Sequence, residues 1–156
     1  MIKKQDLKVK RSTAGAGFGL FAMRPIKKGA RIIEYIGEII DDKEYDRRNS
    51  KYIFEIKKDK NIDGTTRKNL ARYVNHSCRP NCEAVDEDER IFIEAKRNIM
   101  LGEELCYDYG KSYWNTFIKE HGCKCIKCHK TELRATKKEL AAHEAKREKG
   151  KKVKSK

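Results

Sequence analysis

Chemically versatile side chains are concentrated in four short segments of this chain. The densest is Arg72-Tyr-Val-Asn-His-Ser-Cys-Arg-Pro-Asn81, which sets amide, imidazole, hydroxyl and thiol groups together and closes on proline. Such a set suits a bound ligand or a metal. The plainer alternative is a turn in which Asn and Ser bond the backbone and His76 satisfies buried groups. Cys123-Lys-Cys-Ile-Lys-Cys128 places three thiols in six residues. Thiols crowded in this way point to a structural zinc, which needs a fourth donor for its tetrahedron. His121 and His129 are the local candidates, and Cys78, Cys82 and Cys106 the distant ones. A redox relay is the competing use.

The remaining two segments carry aromatic and glycine chemistry. In Gly102-Glu-Glu-Leu-Cys-Tyr-Asp-Tyr109, strand alternation puts Tyr107 and Tyr109 on one face and Cys106 and Asp108 on the other. Two such tyrosines wall an apolar slot with polar tips, or else form a core edge with wetted hydroxyls. Gly15-Ala-Gly-Phe-Gly19 is not a dinucleotide fingerprint, because Leu20 stands where the third glycine belongs and no βαβ unit follows. It reads as a backbone that approaches a ligand closely with Phe18 over it, or as a flexible turn.

The elements that must position these groups are short. Residues 7–11 alternate loosely. Arg31–Ile40, Tyr52–Lys57, Arg90–Ala95 and Glu104–Tyr109 are β-branched or alternating and predict strands. Asp41–Asn49 predicts a short helix capped by Asp41 or Asp42. Asn61–Gly64 has turn chemistry, Asp86–Glu89 makes the turn before Arg90, and Asn69–Val74 predicts one or two helical turns. Thr131–Lys149 has helical character but is polar nearly all round, and Gly150–Lys156 is expected to be disordered. The expectation is a mostly β body with short helices. Without alternating βα units a doubly wound sheet is excluded.

At 156 residues the sequence predicts one domain. Its net charge of +14 is unevenly placed. Residues 1–28 carry eight bases and one acid and residues 129–156 eleven and four, net +7 each, so residues 29–128 are neutral. A nucleic-acid-binding fold shows its basic excess on a folded face; here the excess sits at the ends. A basic zinc module that binds nucleic acid without catalysis remains the competing function. The longest uncharged runs, Ser12–Met23 and Ser112–Ile118, fall short of the ~20 apolar residues of a membrane helix. The basic N-terminus lacks the apolar core of a secretory signal. The expectation is an intracellular protein whose six cysteines stay reduced and whose Asn75-His-Ser sequon is irrelevant.

In this order, GFGLFA (17–22), YIGE (35–38), YIFEI (52–56), RYVNHSCRPN (72–81), GEELCYDY (102–109) and the cysteine segment resemble the SET-domain family of protein-lysine methyltransferases, over about residues 8–128. The resemblance implies a SET domain at 8–110, a post-SET-like zinc segment at 111–130 and a basic tail at 131–156. It implies small curved sheets around a pseudoknot, where Asn75–Cys78 passes beneath a loop near Tyr109. S-adenosylmethionine is implied at Ala16, Gly17, Phe18, Tyr52, Asn75 and His76. A lysine channel is implied at Tyr35, Tyr52, Tyr107 and Tyr109, with Tyr109 the catalytic tyrosine and Tyr107 the residue that favours monomethyl product. Structural Zn2+ is implied on Cys78, Cys123, Cys125 and Cys128. The family spaces its last cysteines C-x-C-x4-C, whereas the spacing here is C-x-C-x2-C, which keeps His129 open as a substitute ligand. The implied partner is a protein with an exposed lysine, a histone or another nucleoprotein, met by a monomer whose basic ends touch nucleic acid. The implied location is nuclear or chromosomal for a eukaryotic protein or a host-directed effector, and cytoplasmic for a bacterial one.

Overall fold

The computed structural model of the protein describes residues 1–12 and 17–128. In sequence order the strands are β1 (Leu7–Arg11), β2 (Phe18–Ala22), β3 (Arg31–Tyr35), β4 (Glu38–Ile40), β5 (Ile53–Lys57), β6 (Lys60–Asp63), β7 (Asn75–His76), β8 (Cys82–Glu87), β9 (Arg90–Ala95) and β10 (Cys106–Tyr107). They form four small sheets: β1-β2, β3-β9-β8, β4-β6-β5, and the pair β7-β10. Pairing is antiparallel everywhere except β7-β10, which is parallel. Among the described residues the helical pieces are α1 (Asp42–Arg48), α2 (Gly110–Tyr113), a π-helical turn at Trp114–Ile118, short 3-10 turns and residues 126–128. The body is therefore mostly β, as its residue pattern predicts. Among the described residues no helix is long and apolar enough to cross a membrane. The predicted helix at 131–149, the disorder at 150–156 and the ligand candidate His129 lie outside the described residues.

Where the sheets meet, one core forms. Leu20, Ile32, Val74, Ile93, Ile99 and Leu105 are all fully buried, drawn from β2, β3, β9 and the segments that flank β7 and β10. Burial of side chains of this size contributes about 1.5–3 kcal/mol apiece, so the core fixes the sheets against one another. Several polar residues are spent on local geometry. Asp41 caps α1 by accepting the Glu44 N–H at 2.7 Å, and Asn49 closes it in the left-handed conformation at φ 40°.

Two local expectations are corrected. Asn61–Gly64 is not a turn: Lys60–Asp63 is the central strand β6, and the backbone reverses instead at residues 58–59, where Asp59 takes φ 60°. The turn-like polarity of Asn61 misleads because its side chain is buried and donates to Asp42 Oδ1 at 2.9 Å. Glu104–Tyr109 is not one strand either. Glu104 bridges to Phe21, Leu105 N–H donates to Leu20 O, and only Cys106–Tyr107 pairs with β7. The turn before β9 is also tighter than 86–89, since β8 runs to Glu87 and only Asp88 and Glu89 adopt positive φ.

Candidate functional site

The parallel contact of β7 and β10 builds the site, because it sets Asn75 opposite Cys106 and His76 opposite Tyr107. Buried Asn81 clamps the arrangement: its amide donates to Glu104 O at 2.8 Å, and its Oδ1 accepts the Cys106 N–H at 2.8 Å. Ser77 N–H adds a bond to Tyr107 O at 3.0 Å. Two segments far apart in sequence are thereby held in register without a long strand.

Asn75 ties this junction to the glycine segment. Its Nδ2 donates to Phe18 O at 3.0 Å and to Glu104 Oε1 at 2.8 Å, while Ser12 Oγ donates to Glu104 Oε2 at 3.1 Å. Glycine is required at two points here. Gly17 takes φ 84°, a region that costs other residues strain. A Cβ at Gly19 would run into the Glu104 carboxylate. Phe18 remains half exposed at 51%, a flat apolar surface beside open backbone.

One cleft of about 910 Å³ borders Gly17, Phe18, Asn75, His76 and all of Tyr35, Tyr52, Tyr107 and Tyr109. Ala16 lies outside the described residues. The Tyr107 and Tyr109 rings lie 4.8 Å apart, as their shared face predicts, although Tyr109 stands beyond β10 at the head of α2. Tyr35 OH donates to Tyr52 O and Tyr109 OH to Val74 O, each at 2.8 Å. Burial pushes the pKa values of Tyr35, Tyr107 and Tyr109 well above the ordinary phenol range. These hydroxyls stay protonated; they are dipoles and not bases. Tyr52 differs. Burial would raise it, but the Arg72 hydrogen bond and the charges of Lys51 and Arg72 outweigh burial and lower it. The Arg72 guanidinium sits 4.0 Å over the Tyr52 ring, and its buried Nε has no hydrogen-bond partner among the described residues.

Some of this wall is not anticipated from the sequence. Tyr113 stacks edge-on against Tyr109 at 4.6 Å and Phe117 follows at 4.8 Å, while Phe54 fills the gap between Tyr35 and Tyr107. The uncharged run Ser112–Ile118 carries the signal for the first two, but its lack of charge alone does not mark it as a cleft wall.

The cysteines converge. The Sγ atoms of Cys78, Cys123, Cys125 and Cys128 all lie within 4.8 Å of one another, and all six cysteines are free. Cys78 Sγ is 3.8 Å from both Cys123 Sγ and Cys128 Sγ. That separation is far beyond a disulfide bond, and it matches the ~3.8 Å edge of a tetrahedron with Zn–S bonds of ~2.3 Å. The donor set and its spacing fit zinc. Cys125 is drawn below the ordinary thiol value: burial works against it, but N–H donors from Cys128 and Cys78 and neighbouring thiols bring it to about 6. Among the described residues neither His121, Cys82 nor Cys106 belongs to the group. Cys123 and Cys125 also border the tyrosine cleft. His76, on the strand between, is kept neutral: burial lowers its pKa, against a weaker upward pull from Asp108.

The SET domain family model matches residues 17–110, the stretch that contains the cleft's glycine, Asn-His and tyrosine segments. Three relatives are named histone-lysine N-methyltransferases. The trr protein of Drosophila melanogaster is 49% identical over 105 residues, covering 60% of this protein and 4% of the relative. The H3 lysine-4 specific enzyme of Schizosaccharomyces pombe is 46% identical over 104 residues, covering 58% and 11%. ASHH3 of Arabidopsis thaliana is 38% identical over 149 residues, covering 85% and 40%. The matched region thus spans well under two thirds of the length of these relatives. With the family match spanning more than half of its residues, the chain belongs to the SET-domain family.

Proposed function

We propose that this protein is a protein-lysine N-methyltransferase that uses S-adenosylmethionine. The observation that carries the reading is the shared cleft in which the tyrosines meet Gly17, Phe18, Asn75 and His76. On this reading Gly17, Phe18, Tyr52, Asn75 and His76 hold the cofactor, together with Ala16 of the same loop. When bound, the cofactor supplies an electrophilic methyl group on a sulfonium.

The protein's own residues do the rest. Only a neutral amine can attack, and lysine in water has a pKa of ~10.4. A tyrosine-walled cleft lowers it by excluding water from the ammonium form. Tyr35 and Tyr109 already donate their hydroxyl protons to backbone carbonyls, so toward the amine their oxygens are acceptors. Accepting the amine N–H bonds leaves its lone pair pointing away from the tyrosines. Alignment, and not a general base, supplies most of the rate. Tyr109 is the catalytic tyrosine, and Tyr107, by filling space beside the amine, favours monomethyl product. Tyr107→Phe is expected to shift the product toward di- and trimethyl-lysine.

Cys78, Cys123, Cys125 and Cys128 hold a structural zinc that pins the segment after Gly110 against a SET body at 8–110. The zinc segment then spans 111–130, followed by a basic tail at 131–156. The substrate class is a histone or another nucleoprotein and the site of action is nuclear chromatin, a reading that rests on the names of the relatives. Exposed Lys3, Lys4, Lys8, Lys27 and Lys28 supply positive charge for an acidic partner. The test is transfer of labelled methyl from S-adenosylmethionine to core histones, with the labelled lysine mapped. Tyr109→Phe should lower turnover on the order of 10²-fold while cofactor binding persists; undiminished turnover would overturn the assignment.

A further inference from the structure

His76 stands where the cysteine cluster and the tyrosine wall touch the same ring. Its side chain is 8% exposed and wedged between Tyr109, centroids 5.5 Å apart, and Trp114, at 5.7 Å. Neither ring nitrogen is idle. Nδ1 accepts from the Tyr109 backbone N–H with the two nitrogens 3.2 Å apart, and Asp108 Oδ1 stands farther off at 3.7 Å, beyond hydrogen-bond reach. Nε2 lies 3.5 Å from Cys78 Sγ.

These contacts fix the tautomer. A backbone N–H can only donate to a bare ring nitrogen, so Nδ1 carries no hydrogen, and in a neutral imidazole the hydrogen must then be on Nε2. Nε2–H points at Cys78, and sulfur accepts at longer distances than oxygen does. Because Tyr109 is tethered at its N–H by His76 and at its hydroxyl by Val74 O, a displaced imidazole releases one end of that tether.

We propose that His76 is a positioning residue that couples metal occupancy to the placement of the tyrosine, its Nε2–H donating to Cys78 Sγ and its Nδ1 accepting from the Tyr109 N–H. The inference rests on the zinc and methyl-transfer reading above. In the metal-bound state Cys78 is a thiolate, and a hydrogen bond to an ionised acceptor is about twice as strong as a neutral one. Loading the cluster therefore strengthens the bond that orients the ring. Groups that orient metal ligands in this way typically carry about 10–100-fold of metal affinity.

The two bonds can be cut separately. In His76→Asn, Oδ1 falls near the Nδ1 position and can still accept from Tyr109, but nothing reaches Cys78. In His76→Gln, Nε2 can still donate to Cys78, but the Tyr109 N–H loses its acceptor. Zinc release to a chelator and the thiolate-to-metal charge-transfer band of the cobalt-substituted protein report the sulfur side; kcat for a peptide, taken at saturating S-adenosylmethionine because His76 also borders the cofactor, reports the tyrosine side. His76→Asn is expected to release zinc on the order of 10-fold faster and to shift the cobalt band to lower energy with the smaller loss in kcat. His76→Gln is expected to keep the metal behaviour and lose more kcat. Equal losses in both variants on both readouts, or no loss, would overturn the proposal. Nitrogen-15 NMR of the imidazole in the unsubstituted, zinc-loaded protein decides it even when a variant fails to fold: a hydrogen on Nε2 is expected, and one on Nδ1 refutes the coupling. Failure of that protein to bind zinc at all would instead overturn the metal reading, and the coupling with it.

Discussion

The β body and the segment from Gly110 to Cys128 stand on the same cleft but are held by different forces. In the body, Leu20, Ile32, Ile93 and Leu105 have no exposed surface, and the sheets close over them. In the later segment neither α2 nor the π-helical turn buries a residue, Ile126 is 43% exposed, and Cys125 is the one buried residue among those described. Among the described residues its attachments include aromatic contacts from Tyr109 through Tyr113 to Phe117, the Trp114 ring against His76, and the sulfur cluster with Cys78. A hydrophobic core can be lost only cooperatively, whereas a segment without one depends on its local tether. Part of the cleft is therefore built by folding and part by docking.

That contrast can be broken in several ways. The largest effect is expected from Ile93→Ala, which should cost about 2–5 kcal/mol and bring down body, cluster and activity together in a single calorimetric transition. A loss of stability with the cleft untouched would contradict one shared core. Removal of zinc by a chelator, or Cys128→Ser, should leave amide protection at Ile32 and Ile93 intact while residues 111–128 lose theirs. Peptide methylation should fall about tenfold or more. Exchange of the body amides at the same rate would erase the distinction.

Smaller effects sharpen it. Asn81→Ala strips partners from Glu104 O and the Cys106 N–H, both within the body, and should cost about 1–3 kcal/mol in urea unfolding. Arg48→Met removes the shared partner of exposed Glu38 and Glu44 and of buried Asp63 on the β4-β6-β5 sheet and should lower stability at neutral pH by less than Asn81→Ala does, because most of the arrangement stands in water. Asp63 supplies the sign. Burial raises its pKa, but Thr65 and Arg48 pull it below the usual carboxylate value. Its contribution is present above the unfolded pKa of ~3.9 and disappears as pH falls through the folded one. The difference between Arg48→Met and the parent should thus shrink in acid, as followed by thermal melts from neutral pH downward.

Much of the arrangement is legible in the sequence, for reasons that differ residue by residue. Strands β3, β5 and β9 announce themselves through β-branched and aromatic residues, with alternation clearest in β5. Cys78 is separated from Cys123 by 45 positions, so spacing alone leaves it one candidate among several, and only the resemblance singles it out. Asn61 misleads because a polar residue can occupy a central strand once Asp42 satisfies its amide. The break of 104–109 into contacts with β2 and β7 is invisible, since alternation describes which face a side chain takes and not which neighbour the backbone finds. The aromatic contacts of Tyr113 and Phe117 lie hidden in an uncharged run whose partner, Tyr109, is known only once α2 turns at Gly110, where φ is 82°.

In the proposed function the tyrosine cleft transfers methyl groups to lysine. Its most direct test is the intact mass of core histones, and of the protein itself, after incubation with S-adenosylmethionine. The parent protein should add methyl masses to a lysine, predominantly one per site, and Tyr109→Phe should add almost none while still binding the cofactor in calorimetry. No added mass from a folded, zinc-loaded protein that binds the cofactor, or equal addition by the Tyr109→Phe variant, would contradict the account.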